Sequence, residues 1–240
     1  MSNFNNRSFS ANLSASKDAT YDASLREYMV KVYNHMSFAL GISGVVALLI
    51  SSSPNLMALF FGTPLAYIVM FAPLIFVFFI AAKINSISSQ KAKTYLYIYA
   101  ALMGISLSTI FIAFTATSIT RVFFITASVF GAMSLYGYST KKDLTSWGSF
   151  LMMGLFAILI SMLVNFFLQS SAFDFAISII GSLIFIGLIA YDTQKIKQNY
   201  YQFAGNAELA NKAAVIGALN LYMDFINLFI MLLRLFGERK

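Results

Sequence analysis

The sequence predicts an all-α integral membrane protein with seven transmembrane helices. Three observations carry this: a shortage of charge, its uneven spread, and the length of the apolar runs between charges. Of 240 residues, 59% are hydrophobic and only 10% are charged, against about 25% charged in a typical soluble domain. No Asp, Glu, Lys or Arg occurs from Val32 to Ala82, Thr94 to Thr120, Leu144 to Phe173, or Phe175 to Tyr191. A soluble fold of this size leaves much of its surface exposed and cannot hide so many apolar side chains. Charge-free runs of about 18 or more apolar residues read instead as membrane spans.

The elements follow in order. Residues 1–26 are rich in Ser, Asn, Ala and Asp and have no apolar run, so they are expected to be a flexible polar tail. They show no signal-peptide h-region, which leaves targeting to the first spanning helix. Residues 27–240 form the transmembrane domain. The first span runs from about Val32 to Ile50 and stops at Ser51-Ser52-Ser53-Pro54-Asn55, a polar run with a helix-hostile proline. The second covers about Met57 to Ala82 and contains Pro64 and Pro73, which predict a kink or a late start near Pro64. The third spans about Thr94 to Ala116, the fourth Val122 to Tyr138, the fifth Trp147 to Leu168 and the sixth Phe175 to Tyr191. At about 1.5 Å per residue all can cross, the fourth and sixth only just. The seventh, about Ala213 to Phe236, is equally apolar but carries Asp224 in its middle.

Loop charges set the expected orientation. Arg7, Lys17, Arg26 and Lys31 precede the first span, and Lys83, Lys91 and Lys93 follow the second. Lys141 and Lys142 follow the fourth, and Lys195, Lys197 and Lys212 the sixth, whereas the alternate loops offer only Arg121. The positive-inside rule then places the N-terminus in the cytoplasm. A full seventh crossing puts Arg239 and Lys240 outside against that rule. A re-entrant segment would keep them inside but must be enclosed by protein. The full span, surrounded by the other six helices, is the favoured reading. The net charge of +7 is explained by orientation, and no nucleic-acid partner is expected. With no cysteine and a single histidine, His35, thiolate chemistry and multi-histidine metal centres are excluded within one chain.

Two carboxylates stand out. Asp224 has eleven uncharged residues before it and nine after, and an ionisable group at a helix centre costs about 2.5–3.5 kcal/mol on insertion scales. Gly217, Asn220, Asp224, Asn227, Met231 and Arg234 repeat at three and four, so they share one helix face. That polar face should point into the bundle, with Asn220, Asn227 and Arg234 supporting Asp224. It could serve only as interhelical hydrogen bonding. Asp192 closes the sixth helix beside Lys195 and Lys197, where an ordinary helix-end ion pair is the plain alternative. A tilted sixth helix could bring Asp192 to Asp224. Two nearby carboxylates resist ionising together and can share a proton, which makes the pair a candidate pH sensor and cation ligand.

These segments resemble the Bax inhibitor-1 (transmembrane BAX inhibitor motif) family, bacterial branch. The resemblance rests on Leu219-Asn220-Leu221-Tyr222-Met223-Asp224-Phe225-Ile226-Asn227-Leu228-Phe229 with Leu233-Arg234-Leu235-Phe236-Gly237. Gly187-Leu188-Ile189-Ala190-Tyr191-Asp192-Thr193-Gln194-Lys195 is similar to the family's sixth-helix motif, and Gly131 to Tyr138 with Thr140 to Leu144 to its bacterial branch. The resemblance implies six helices around a central C-terminal helix and a pH-sensitive calcium leak, with the family's paired aspartates at Asp192 and Asp224. It also implies an arginine latch on the helix-six aspartate from the end of helix two. Here there is no arginine between Arg26 and Arg121, and Lys83 is the nearest basic residue. Lysine lacks the bidentate fork of arginine, so a Lys83 latch would be weaker.

The minor candidates have plainer readings. His35 suits a packed or interfacial site, Asn165 with Ser161 an interhelical contact, Asp143 a loop or helix cap, and Trp147 an interfacial anchor. The pairs Ser37/Gly41 and Gly104/Ser108 suggest close helix contacts. Three functions are weighed. A pH-gated cation pathway in a bacterial inner membrane, with calcium the favoured ion and no cofactor, is preferred. A regulatory protein acting on a membrane protease or stress response through a membrane protein partner is the alternative. An intramembrane aspartyl protease is disfavoured, because Leu221-Tyr222-Met223 precedes Asp224 where such enzymes have Gly-x-Gly, and every proline lies before residue 74. The chain is therefore not expected to be an enzyme.

Overall fold

The computed structural model describes residues 23–83, 86–203 and 205–240. Most of the tail expected over residues 1–26 lies outside the described residues. The helices are α1 (Ala23–Ser51), α2 (Pro54–Phe61), α3 (Leu65–Lys83), α4 (Ser89–Leu107), α5 (Ile110–Ala113), α6 (Ala116–Ser139), α7 (Thr145–Leu168), α8 (Ser171–Phe203) and α9 (Ala207–Phe236). Seven of the helical stretches are long and apolar enough to cross a membrane, α4 and α5 counting together. The outer surface presents Phe78, Phe124, Leu135 and Phe167, side chains that lipid rather than water would solvate.

The element boundaries follow local chemistry. Pro54 opens α2, the Ser53 hydroxyl accepts from Leu56 N–H, and Gly62 caps its end. The second span therefore starts late, just after Pro64, as one of the two expected outcomes. Ser88, Thr115 and Asn206 cap α4, α6 and α9 in the same way. The largest departure is at α8, which continues twelve residues beyond Tyr191. Lys195, Lys197 and Gln198 end the apolar run but are good helix formers, so the helix leaves the bilayer without stopping.

Pro73 lies inside α3 and is buried. A proline there has no N–H to give the carbonyl four residues earlier, which belongs to Val69. Ser106 of α4 repairs the loss by donating its hydroxyl to Val69 O at 2.8 Å. The substitution Ser106→Ala should destabilise the α3–α4 pair by about 1–2 kcal/mol, seen as a lower unfolding midpoint in detergent. A midpoint equal to wild type would show that the carbonyl finds another donor.

Burial is concentrated in the last helix. Fifteen of the thirty residues of α9 are buried, against three of twenty-four in α7. The packing partners of α9 are α1, α4, α6 and α8, while α3 rests on α4 and α7 on α8. Two of the six other spans thus attach through a neighbour. The C-terminal residues meet the α5–α6 junction, with Thr115 N–H donating to Glu238 O at 3.0 Å and Lys240 N–H to Ala113 O at 3.1 Å. That junction lies at the end of the bundle away from residues 86–88, 140–144 and 205–206, so α9 runs from one end of the bundle to the other. The end carrying those three connections also holds most of the lysines and is termed the basic face below.

Small residues decide which helices touch closely. A Cβ on Gly104 would stand 2.7 Å from Ser43 O of α1, and one on Gly137 would stand 2.2 Å from Ala190 O of α8. The expected contact at Gly104 is therefore real, but its partner is Ser43. Ser37 is exposed and Gly41 has nothing within 4 Å, so the Ser37/Gly41 pair packs against no helix. Asn165 also departs from expectation. Its Oδ1 accepts Ser170 N–H at 3.1 Å and closes the end of its own helix, where Gln169 takes a left-handed φ of 51°.

Candidate carboxyl-pair site

Asp192 and Asp224 come from adjacent helices that pack tightly over much of their length. Gly217 allows this near the site, because a Cβ there would meet Ile196 Cγ1 at 2.9 Å. Further along, Gly181 of α8 receives Met231 of α9. With α8 and α9 this close, the two carboxyl groups lie within hydrogen-bonding reach of each other. Such a contact needs a proton on one of them, since two bare carboxylates offer only acceptors.

The two aspartates differ in access. Asp224 is buried, 6% exposed, and its Oδ2 has no partner among protein atoms. Asp192 is half-buried and lines a cavity of about 280 Å³ with Lys195, Asn199 and Asn220. The cavity lies on the side of the pair toward the basic face. Asp192, Lys195 and Asn199 follow the spacing of one helix face, continued on the stretch of α8 beyond Tyr191. The sequence hides Asn199, because that stretch reads as a loop once charge returns at Lys195. The periodicity of 192, 195, 196, 199 and 203 was the available signal.

The other predicted residues are divided. Asn220 joins the pair's cavity, whereas Asn227 lies a turn further and does not line it. Arg234 leaves the group altogether. It is about 15 Å along the helix from Asp224 and pairs with Asp174 at the start of α8, Nη1 to Oδ1 2.7 Å. The polar stripe on α9 therefore serves two places, a carboxyl pair in mid-helix and an ion pair at the far end. Lys83 ends α3 and is exposed. No ion pair joins Lys83 to Asp192 among the described residues, and Lys195 is the ammonium that shares the cavity with Asp192, 5.6 Å over the Tyr191 ring.

Polar contacts surround the pair. Gln194 accepts Leu144 N–H and donates to Lys142 O, both at 2.8 Å, which ties α8 to the α6–α7 connection. Thr193 bonds Ser134 at 3.1 Å, and Ser134 in turn bonds Tyr33. On α9, Tyr222 is fully buried and bonds Ser43 of α1 at 2.6 Å. These contacts hold both aspartate-bearing helices in register with α1 and α6. Among the minor candidates, His35 Nδ1 lies 3.1 Å from Tyr97 OH. Asp143 accepts Thr145 N–H at 2.9 Å, and hydrogen bonds from Thr145 hold its carboxyl below the usual aspartate range. It satisfies an N–H at the start of α7 from the connection that precedes the helix.

No cluster of three or more His, Cys, Asp or Glu that could hold a metal occurs among the described residues. A resident calcium ion takes 6–8 oxygens, more than the two oxygens of each carboxyl group here can supply.

The comparisons with known proteins agree with one another. A family described as inhibitor of apoptosis-promoting Bax1 matches residues 25–240. A protein of Rickettsia prowazekii, RP147, is 50% identical over 94% of this chain and 95% of its own length. The inner membrane protein YbhL of Escherichia coli K12 is 43% identical over 91% of this chain and 94% of its own. A membrane protein of Streptococcus pyogenes is 35% identical over 90% and 95%.

Proposed function

The chain belongs to the Bax inhibitor-1 family, and from that membership and the carboxyl pair we propose that it is a pH-sensitive cation leak, with calcium as the ion. The contact between Asp192 and Asp224, at the inner end of a cavity to which Lys195, Asn199 and Asn220 contribute, carries this reading. Gain or loss of one proton changes the charge there by one unit, in a place where water screens it little. That change alters both the attraction for a cation and the force between α8 and α9, so it can bias two packings of the bundle. Lys195 faces the same cavity and moderates the entry of cations. A latch from Lys83 would require α3 to move toward α8. The pair has a sensing and ligating role in this reading and no catalytic one. We place the chain in a bacterial inner membrane, as the name of YbhL suggests for its relative, with the basic face cytoplasmic.

One observation favours the second reading, a regulatory protein that acts on a membrane protease or stress response through a membrane partner. Past Asp224, Phe225, Ile226 and Phe229 meet Phe123 around a cavity of about 110 Å³ that no charged residue lines. That cavity offers a passing ion no charged group. Calcium uptake into dye-loaded vesicles bearing the purified protein, followed from about pH 5 to pH 8, separates the two. Uptake above empty vesicles that varies with pH supports the leak. Uptake equal to empty vesicles, with folding verified, transfers the function to the regulatory reading.

A further inference from the structure

A second cavity lies apart from the carboxyl pair. It occupies about 490 Å³ between the ends of α1, α4 and α9 at the basic face, and Glu27, Lys31, His35, Ser89, Lys93 and Asn211 contribute to its lining. We propose that this cavity binds a phosphoethanolamine group, its phosphate toward the bilayer and its ammonium toward the basic face.

The charges are layered in that order. On α1, Glu27, Lys31 and His35 are spaced by four, so they share a face and descend into the bilayer at about 6 Å per step. On α4, Ser89 lies outermost and Lys93 one turn deeper. On α9, Glu208 lies outermost and Asn211 deeper. Among the groups that line the cavity, the carboxylate of Glu27 is therefore outermost, and Lys31, Lys93 and the imidazole of His35 lie deeper; Glu208 stands outside the lining, with Lys212 near it. The Glu208 carboxylate is already engaged, accepting Ser89 N–H at 2.6 Å and Ser89 Oγ–H at 2.8 Å. That leaves Glu27 as the carboxylate facing the cavity.

The inner groups are held in place. Lys31 donates to Asn211 Oδ1 at 3.0 Å, Lys93 lies 5.9 Å over the Tyr97 ring, and His35 meets the same tyrosine through Nδ1, which leaves Nε2 for a further partner. Two ammonium groups and an imidazole suit a phosphate, and a carboxylate one or two turns further out suits a primary ammonium. A lone anion would meet Glu27 unfavourably, and a glycerol headgroup would leave it unpaired. A quaternary ammonium has no proton to donate to it. The same chemistry is available from a phospholipid headgroup and from free O-phosphoethanolamine.

The test takes full-length protein from vesicles of phosphatidylethanolamine, phosphatidylglycerol and phosphatidylcholine in equal parts, and counts retained lipids by native mass spectrometry. Wild type should retain phosphatidylethanolamine in at least about fivefold excess over each of the other two lipids. The double variant K31Q/K93Q should return to bulk proportions. Glu27→Gln should keep a phospholipid but prefer the glycerol headgroup. Unchanged thermal unfolding of the variants shows that the cavity, and not the fold, was altered. Saturable binding of O-phosphoethanolamine by calorimetry, lost in K31Q/K93Q and without lipid preference, would assign the same site to a soluble ligand. Bulk lipid proportions with no binding of O-phosphoethanolamine would overturn the proposal, as would a preference that survives both the double variant and Glu27→Gln.

Discussion

Replacing Asp224 by asparagine should flatten the pH dependence of calcium uptake across the range in which wild type responds. Asparagine keeps the size of the side chain and a hydrogen-bond donor to Asp192, so the α8–α9 packing survives. It removes the second ionisable group, so Asp192 no longer shares a proton with a neighbour. Coupling between two sites is commonly 1–3 kcal/mol, or about 5–150-fold in an equilibrium constant. A wild-type response of about tenfold should therefore fall to within about twofold in Asp224→Asn. Asp192→Asn should flatten the profile as well, because the response belongs to the pair. If either variant keeps the full response, the other carboxyl or a group elsewhere is the sensor.

The second large effect is on stability. Gly137 of α6 lies against the backbone of Ala190, two residues before Asp192, and a Cβ there would come within 2.2 Å of a carbonyl oxygen. Backbone cannot step aside as a side-chain tip can, so Gly137→Ala must push α6 from α8. A cost of about 1–3 kcal/mol is expected for such overpacking, along with a displaced Asp192. Gly131 is the internal control, on the same helix with nothing within 4 Å of a built Cβ. Gly131→Ala should be neutral or stabilising by up to about 1 kcal/mol, the gain in helix propensity. Unfolding midpoints of the two variants in one detergent check this. Equal midpoints would mean that the α6–α8 crossing is looser than the glycine implies.

The number of spans was legible because a bilayer imposes one requirement, an apolar stretch without charge, that can be read residue by residue. Which face of each span is buried was much less legible. Lipid tails are as apolar as a protein core, so Phe167 on the lipid side and Phe225 in the interior look alike in sequence. Gly41 and Gly104 likewise look equivalent, yet only the second accepts a neighbouring helix. Asp224 could be recognised because a carboxyl group in mid-span demands a partner. The reach of Asp192 toward it could not be read so directly, since it depends on the continuation of α8 to Phe203 and on Gly217 letting α9 come close. Arg234 shows the limit of periodicity. It shares a stripe with Asp224, but the length of the helix gives it to Asp174.

The proposed leak requires Asp192 and Asp224 to hold one proton between them within the membrane. Infrared difference spectroscopy of the reconstituted protein, recorded between about pH 5 and pH 8, reads the carbonyl stretch of a protonated carboxyl group directly. One protonated-carboxyl band should change with pH over the range in which calcium uptake changes, and should be lost or displaced in both Asp192→Asn and Asp224→Asn. A band unaffected by either substitution, or a titration of the pair that leaves uptake unchanged, would contradict it.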